Sequence, residues 1–408
     1  MELVNSNNAS RFLDDINTHS CVVYPVFSSS DEHPLEDRLS FVYFFVKHLR
    51  NEYILNYNHI DFPKSSLDIG VFTSKCNDIV YKKRYLPGSG IDADLLYWWT
   101  KDIPLPILEV KNPTQFVRNN DITPIYQYVT KIRKIVEMLE QLPDASSGVT
   151  KYNQFINELG EIERNAITIY SGTIYDKPQN GKLVHTVYNP YTLTGRPTNT
   201  WKGVNYAALN KTNGIRKTLI SRHPGGFLVE FDYHAYHLQL ISKLLNYTFP
   251  VGNVYDYLKT QMHLNTNDDV KSIVFHQLYG GVQTKYQSIP FFAKLSEYLH
   301  TMQNAYDDDV IYSKFGKKIR KGETLIKTFN YFLQNLETEE NMLKLCKINA
   351  LLRNTRSKVI LYTYDSFLID FNPADGVQVL YDIKKILEED GIGTKMKIGK
   401  NYHDMYVH

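Results

Sequence analysis

The pattern of hydrophobic and polar positions changes period several times along the chain, and each change predicts an element. Residues 21–27 are β-branched and aromatic, residues 39–49 form a second long apolar run, and residues 69–72, 79–81 and 83–88 read as short strands and turns. From residue 124 to 143 the period becomes helical, with Ile125, Tyr128, Val129, Ile132, Ile135, Val136, Leu139 and Leu142 at spacings of three and four. Proline opens that helix and proline closes it. A second helical pattern, through Tyr152, Phe155, Ile156, Leu159, Ile162 and Ala166, follows an expected loop over 144–150. Farther on, residues 229–241 climb through an apolar run to Asp232 and continue with aromatic and apolar residues at helical spacing. Asp232 is therefore expected at the mouth of a strand, where a helix begins. Residues 359–369 place apolar stretches on both sides of Tyr364-Asp365-Ser366, which predicts a hairpin with Asp365 in its tight turn.

Composition narrows the class. A chain of 408 residues with 43% hydrophobic content can bury a large core and has room for two or three domains. The net charge is only +2 against 46 Lys and Arg, so any basic surface must come from segregated charge. Local clusters exist at Lys131, Arg133 and Lys134, at Lys314, Lys317, Lys318, Arg320, Lys321 and Lys327, and at Lys347, Arg353, Arg356 and Lys358. The 31 Tyr and 20 Phe suit stacking on bases, and for most of them a core of large amphipathic rings. Cys21, Cys76 and Cys346 have no metal-ligand spacing and are odd in number, which argues for a reducing compartment and against zinc or a disulfide framework. No window reaches the ~18 uninterrupted apolar residues of a membrane span. The expectation is a cytoplasmic protein with no membrane partner. Asp31-Glu32 and the pair Asp92 and Asp94 read as turn carboxylates, because no Asp-X-Glu on a strand starts a nuclease site.

Candidate chemistry appears as an ordered set. A strand-like stretch over 181–193 leads into Thr194-Gly195-Arg196, followed by Asn199. Asp232-Tyr233 comes next, then Lys271, Phe275, Tyr279 and Gly280, where spacings of four and eight put the first three within about 40° of one another on a helix. Asn330 and Gln334 lie four apart, and Asp365 closes the series. Taken singly, each aspartate reads as a cap or turn residue and Lys271 as a solvated lysine. As an ordered set over about residues 120–408, they resemble the motifs of family A DNA polymerases, the bacterial repair polymerase and its phage relatives. Tyr402 and His408 stand where that family usually has Trp and a terminal His.

The resemblance implies an α/β (α+β) chain with a right-hand polymerase fold, an antiparallel palm sheet, and helical fingers and thumb. Thumb would be about 119–185, palm about 186–250 and 331–408, and fingers about 251–330. Residues 1–118 would form a small α/β domain, either a reduced exonuclease-like remnant or a docking module. The implied activity is template-directed addition of dNTPs to a primer 3′ end by two-metal phosphoryl transfer, without intrinsic 3′→5′ proofreading, in phage or viral DNA replication. That reading puts the protein in the host cell cytoplasm. Asp232, Asp365 and the Tyr233 backbone would hold two Mg²⁺, with Mn²⁺ able to substitute, and Lys271 would neutralise triphosphate charge. Phe275, Tyr279, His237, Tyr255 and Arg222 would complete the nucleotide site. Arg196, Asn330, Gln334, Gly280, Lys317, Lys318, Arg320, Tyr364 and His408 would contact primer-template DNA. Implied partners include a helicase or primase, a processivity factor or a separate exonuclease.

Departures from the family pattern sharpen these expectations. His237, five residues after Asp232, replaces the glutamate that blocks a ribose 2′-OH, and an imidazole there could hydrogen-bond Tyr279. Asp365 is followed by Ser366 rather than Glu, Asn267 replaces an arginine, and Tyr255 replaces a phosphate-contacting histidine. Arg222, Lys285 or the 314–321 loop would have to supply the missing cations. Tyr-Asp-Ser at 364–366 also resembles the His-Asp-Ser of single-subunit RNA polymerases, so an RNA polymerase or primase-like enzyme is the alternative, alongside an inactive polymerase-like protein that only binds nucleic acid.

Overall fold

In a computed structural model of the chain, the residues described are 1–56 apart from 20, 28–38 and 47, and 146–408 apart from 171, 172, 176, 179–182, 266, 267 and 308–310, together with Thr130, Arg133 and Glu137. Compactness divides the chain essentially into residues 1–160 and residues 161–408. The short strands expected over 69–88, Cys76, Asp31-Glu32, Asp92 and Asp94, Lys131, Lys134 and Asn267 lie outside the described residues.

In the first unit, α1 (Ala9–Thr18) packs on a four-stranded sheet of β1 (Glu2–Leu3), β2 (Cys21–Phe27), β3 (Leu39–Val46) and β4 (Asn51–Asn56), in the order β1-β4-β3-β2. Two of these strands are the apolar runs legible in the sequence. Phe12 of α1 meets Phe44 and Tyr53 edge-on at 5.0 and 5.2 Å, and all three are buried. Arg133 gives Nε to the Glu52 carboxylate at 2.6 Å, so this residue of the expected basic edge is engaged within its own unit.

The helix α2 (Ser146–Asn165) begins five residues before the expected position and absorbs the 146–150 part of the expected loop. Its buried Tyr152, Phe155, Ile156, Leu159 and Ile162 follow the predicted periodicity. After it come β5 (Ile167–Ile169), β6 (Leu183–Val184), β7 (Val187–Asn189), β8 (Thr198–Trp201), β9 (Val204–Asn205) and β10 (Leu219–Ile220), which form two three-stranded sheets.

The centre of the second unit is a five-stranded antiparallel sheet. Its strands are β11 (Phe227–Tyr233), β12 (Lys358–Tyr362), β13 (Ser366–Phe371), β14 (Thr394–Gly399) and β15 (Met405–Val407), in the order β12-β13-β11-β14-β15. Leu228, Val229 and Phe231 of β11 and Phe367, Leu368 and Ile369 of β13 are all buried, which explains the near-continuous apolar runs. The connecting helices are α3 (Tyr236–Leu244), α4 (Val254–Gln261), α5 (Val270–Gly280), α6 (Pro290–Asp307), α7 (Leu325–Leu352) and α8 (Gln378–Leu387). Residues 335–339 of α7 are buried on successive positions, so this helix is covered on more than one face. Among the described residues, no helix is long and apolar enough to cross a membrane.

Candidate active site

Asp232 and Asp365 reach one place because of strand register. Asp232 is the penultimate residue of β11 and stands opposite Ser366, the first residue of β13. Asp365 is thus next to Asp232's cross-strand partner. The Tyr233 amide donates to the Asp365 carbonyl at 3.1 Å and stitches the turn to the strand end. The turn itself closes through Thr363 N to Ser366 O at 2.9 Å, with Tyr364 in the left-handed region at φ 64°. For a tyrosine that conformation is strained. It is held by Asn341, whose amide donates to the Tyr364 carbonyl at 2.7 Å, and by the Arg196 guanidinium, 5.0 Å above the ring.

The two carboxylates sit in different surroundings. The Asp365 side chain opens to solvent, yet its crowded site, Glu337 and Asp232 push its carboxyl up to about 6. The Asp232 carboxylate accepts from the Lys397 ammonium at 3.0 Å, and the same ammonium donates to Glu230 at 2.6 Å. Burial pulls Lys397 down, but Glu230 and Asp232 outweigh it and raise its pKa. Glu230 is anchored in turn by the Tyr402 hydroxyl at 2.9 Å, and Arg216 lies 4.3 Å over the Tyr402 ring. Tyr402 is therefore a buried support for the Asp232 ladder.

A second cluster joins the helices. His237, in the first turn of α3, bonds through Nδ1 to the Tyr279 hydroxyl of α5, and its Nε2 is 2.8 Å from an Arg196 amino nitrogen. The Arg196 Nε donates to Oε2 of Glu337 on α7. Burial pushes the Glu337 carboxyl up, but His237 and Arg196 outweigh it and hold it below the usual carboxylate range. Gly195 makes this possible. It has φ +73°, and a Cβ there would lie 2.3 Å from Oδ1 of Asn335, so the backbone approaches α7 as only glycine allows.

On α5, Asp269 caps the helix by accepting from Ser272 N at 3.2 Å. Lys271 is exposed, with its ammonium 5.5 Å over Phe275, and Phe275 and Tyr279 are neighbouring rings at 5.6 Å. Asn330 donates to the Tyr279 carbonyl at 3.4 Å, at the end of the helix that also carries the exposed Gly280. Gln334 is half-buried one turn farther along α7. Burial, with the Asp365 charge next, raises Tyr255 to about 12, so α4 also comes near Asp365.

Other expected contacts are placed differently. Arg222 pairs with Asp370 at 2.8 Å and donates to the Ala166 carbonyl at 2.7 Å. Asp370 lies opposite Leu228, four residues from the Asp232 end of β11, so Arg222 is committed to the far end of the sheet. Lys317 is 4% exposed, and burial, opposed by Glu339, pulls its ammonium down to about 8; the side chain is turned into the fold rather than toward a duplex. Lys318 is exposed and Arg320 half-buried, and Lys285 lies 4.6 Å over Tyr286. Lys347 pairs with Glu389 at 2.6 Å, and Lys358 donates to the Leu352 carbonyl at 2.8 Å, so both serve the fold. His408 is exposed beyond β15, its amide bonded to the Met396 carbonyl at 2.9 Å.

Glu230, Lys397 and Glu337 join the site from outside the motif residues. Glu230 carried a signal, since positions two apart on a strand share a face and Asp232 was already marked. Glu337 lies one turn after Gln334 on the same helix, another legible spacing.

No family model matches the sequence, and no curated protein matches it. Among solved structures the fold is similar to the POL domain of Pol1 from M. smegmatis in complex with DNA primer-template and dNTP, with a TM-score of 0.68 and 10% identity over 99% of this chain and 100% of that chain. The chain has a polymerase-domain fold. That likeness spans residues before 120 as well, where the sequence carries none of the motifs.

Proposed function

We propose that the protein is a template-directed DNA polymerase that adds dNTPs to a primer 3′ end. The observation that carries this reading is the pairing of β11 with β13, which sets Asp232 beside Asp365 at one sheet end, with Asp365 in electrostatic reach of Tyr279 on the helix that also bears Lys271 and Phe275. The donor set suits Mg²⁺, which keeps several waters and needs only one or two carboxylates with substrate phosphates. Among the described residues no group of three or more His, Cys, Asp and Glu could enclose a metal instead. The charge of Asp232 raises Asp365, a repulsion that a cation between them would relieve.

Asp232, Asp365 and the Tyr233 carbonyl would hold two Mg²⁺, which when bound supply charge neutralisation at the attacking and leaving oxygens. The chain's own groups do the positioning. The β11–β13 ladder fixes both carboxylates on rigid elements, and Lys397 orients Asp232 by holding Oδ2. Lys271, exposed on the first turn of α5, binds triphosphate; Phe275 packs on the base, and Tyr255 lies beside it. His237 and Tyr279 close the sugar side. Arg196, Asn330, Gln334, Gly280, Lys318, Arg320, Tyr364 and His408 face primer-template DNA, contacts that position a duplex without reading its sequence.

We assign the thumb to about 119–185, the palm to about 186–250 and 331–408, and the fingers to about 251–330. We propose residues 1–118 as a reduced exonuclease-like remnant or a docking module. The protein has no proofreading nuclease of its own and acts in phage or viral replication with helicase, primase or processivity partners. A labelled primer-template tests this. With dNTPs and Mg²⁺ the primer lengthens, and without dNTPs it keeps its length; metal-dependent shortening of the primer would refute the absence of proofreading.

A further inference from the structure

The Glu337 carboxylate is 1% exposed and sits at the middle of α7, away from the two proposed metal ligands in sequence and on a different element. It accepts from Arg196 Nε through Oε2, while Oε1 lies 3.3 Å from His237 Nε2 and has no hydrogen-bond partner. A buried carboxylate oxygen left unbonded is costly, so this geometry has to be maintained by the cluster as a whole. Four elements meet in it: Arg196 after β7, His237 on α3, Tyr279 on α5 and Glu337 on α7.

The chemistry of the partners gives the cluster a direction. Arg196 has only hydrogens to offer, and its amino nitrogen is 2.8 Å from His237 Nε2, closer than Glu337 Oε1 at 3.3 Å. With neutral His237, Nε2 must accept from Arg196, so the ring hydrogen is on Nδ1. With protonated His237, Nδ1 carries a hydrogen as well. Either way Nδ1–H donates to the Tyr279 oxygen, and the Tyr279 hydroxyl hydrogen is turned away from His237. The one arrangement that would reverse this, a neutral ring with hydrogen on Nε2, points that hydrogen at the guanidinium.

We propose that Glu337 is a positioning residue for nucleotide selection: by holding Arg196 against His237 it fixes the His237 tautomer and, through it, the Tyr279 oxygen that lines the sugar side of the nucleotide site. This rests on the polymerase reading above. The carboxylate that disciplines the gate is carried by α7, while the helix after Asp232 contributes only an imidazole. Glu337 touches no reacting atom.

The test compares wild type with Glu337→Gln, which keeps the shape and removes the charge, in single-nucleotide primer extension with a dNTP and the matching rNTP. Wild type prefers the dNTP. In E337Q the preference falls at least about tenfold, mainly through a lower KM for the rNTP, while kcat for the dNTP stays within about threefold. A merely structural role would lower thermal stability and leave the ratio alone. The ¹⁵N signature of the His237 ring in wild type provides a second readout that needs no variant, and it shows hydrogen on Nδ1. Failure of wild type to extend any primer overturns the polymerase reading and this proposal with it. Extension by wild type with an unchanged ratio in E337Q, no dNTP preference in wild type, or a neutral Nε2–H ring each overturns the proposal alone.

Discussion

Gly195→Ala is the substitution whose cost the structure lets one work out most directly. At φ +73° a residue with a Cβ loses roughly 1–2 kcal/mol relative to glycine. The new methyl would also sit 2.3 Å from Asn335 Oδ1, so the Asn335 side chain has to turn away. Asn335 is 3% exposed and donates to the Tyr331 carbonyl at 2.8 Å, and giving up that bond costs about 1 kcal/mol. The sum is about 2–3 kcal/mol, or a fall in Tm of roughly 5–10 °C if the second unit melts as one body. Urea unfolding followed by circular dichroism measures it. Adding Asn335→Ala to G195A removes the clash but not the backbone strain, so the cycle returns a coupling near 1 kcal/mol. If G195A unfolds within about 0.5 kcal/mol of wild type, the close approach of the Thr-Gly-Arg turn to α7 is wrong.

Two further outcomes follow from ionisation. Lys317 has its folded pKa lowered from 10.5 to about 8 by burial, so its cost is present in full below pH 8 and disappears as pH rises toward 10.5. Relative to Lys317→Met, wild type therefore gains about 3 kcal/mol of unfolding free energy between pH 7 and pH 10.5, and a flat difference in denaturant titrations would show that the lysine is solvated. Asp365, raised to about 6, binds a proton below that pH and so competes with a cation. The Mg²⁺ concentration for half-maximal primer extension should rise by up to about tenfold per pH unit below 6, and a requirement unchanged from pH 5 to 8 would remove Asp365 from the metal site.

What the sequence revealed was governed by local pattern. The strand-to-helix switch at Asp232, the hairpin turn at Asp365 and the helix bearing Lys271, Phe275 and Tyr279 all depend on periodicity and turn chemistry, and the structure places each where the pattern does. Partners across strands or between helices were not legible, because they depend on register and packing. Arg222 could not be known to belong to Asp370, nor Lys397 to Asp232. Charge alone puts Lys317 at the surface, whereas its phase in the segment puts it inside. It alternates with exposed Tyr312, Lys314 and Lys318 and lies in step with buried Ile311, Phe315 and Ile319, so the period-2 pattern already marked it as inward-facing. Glu337 was hidden for a related reason. On a helix covered on several faces, a glutamate looks like any polar residue until its partners from other elements arrive.

If Asp232 and Asp365 form one metal-dependent phosphoryl-transfer site, neither can be lost without losing extension. Primer extension by wild type, Asp232→Ala and Asp365→Ala on the same labelled primer-template, with Mg²⁺ and dNTPs, measures it most directly. Wild type extends the primer, and each variant loses extension by several orders of magnitude while primer-template binding is retained. Extension by either variant at a rate near wild type would contradict it, and so would a wild type that binds primer-template and never extends it.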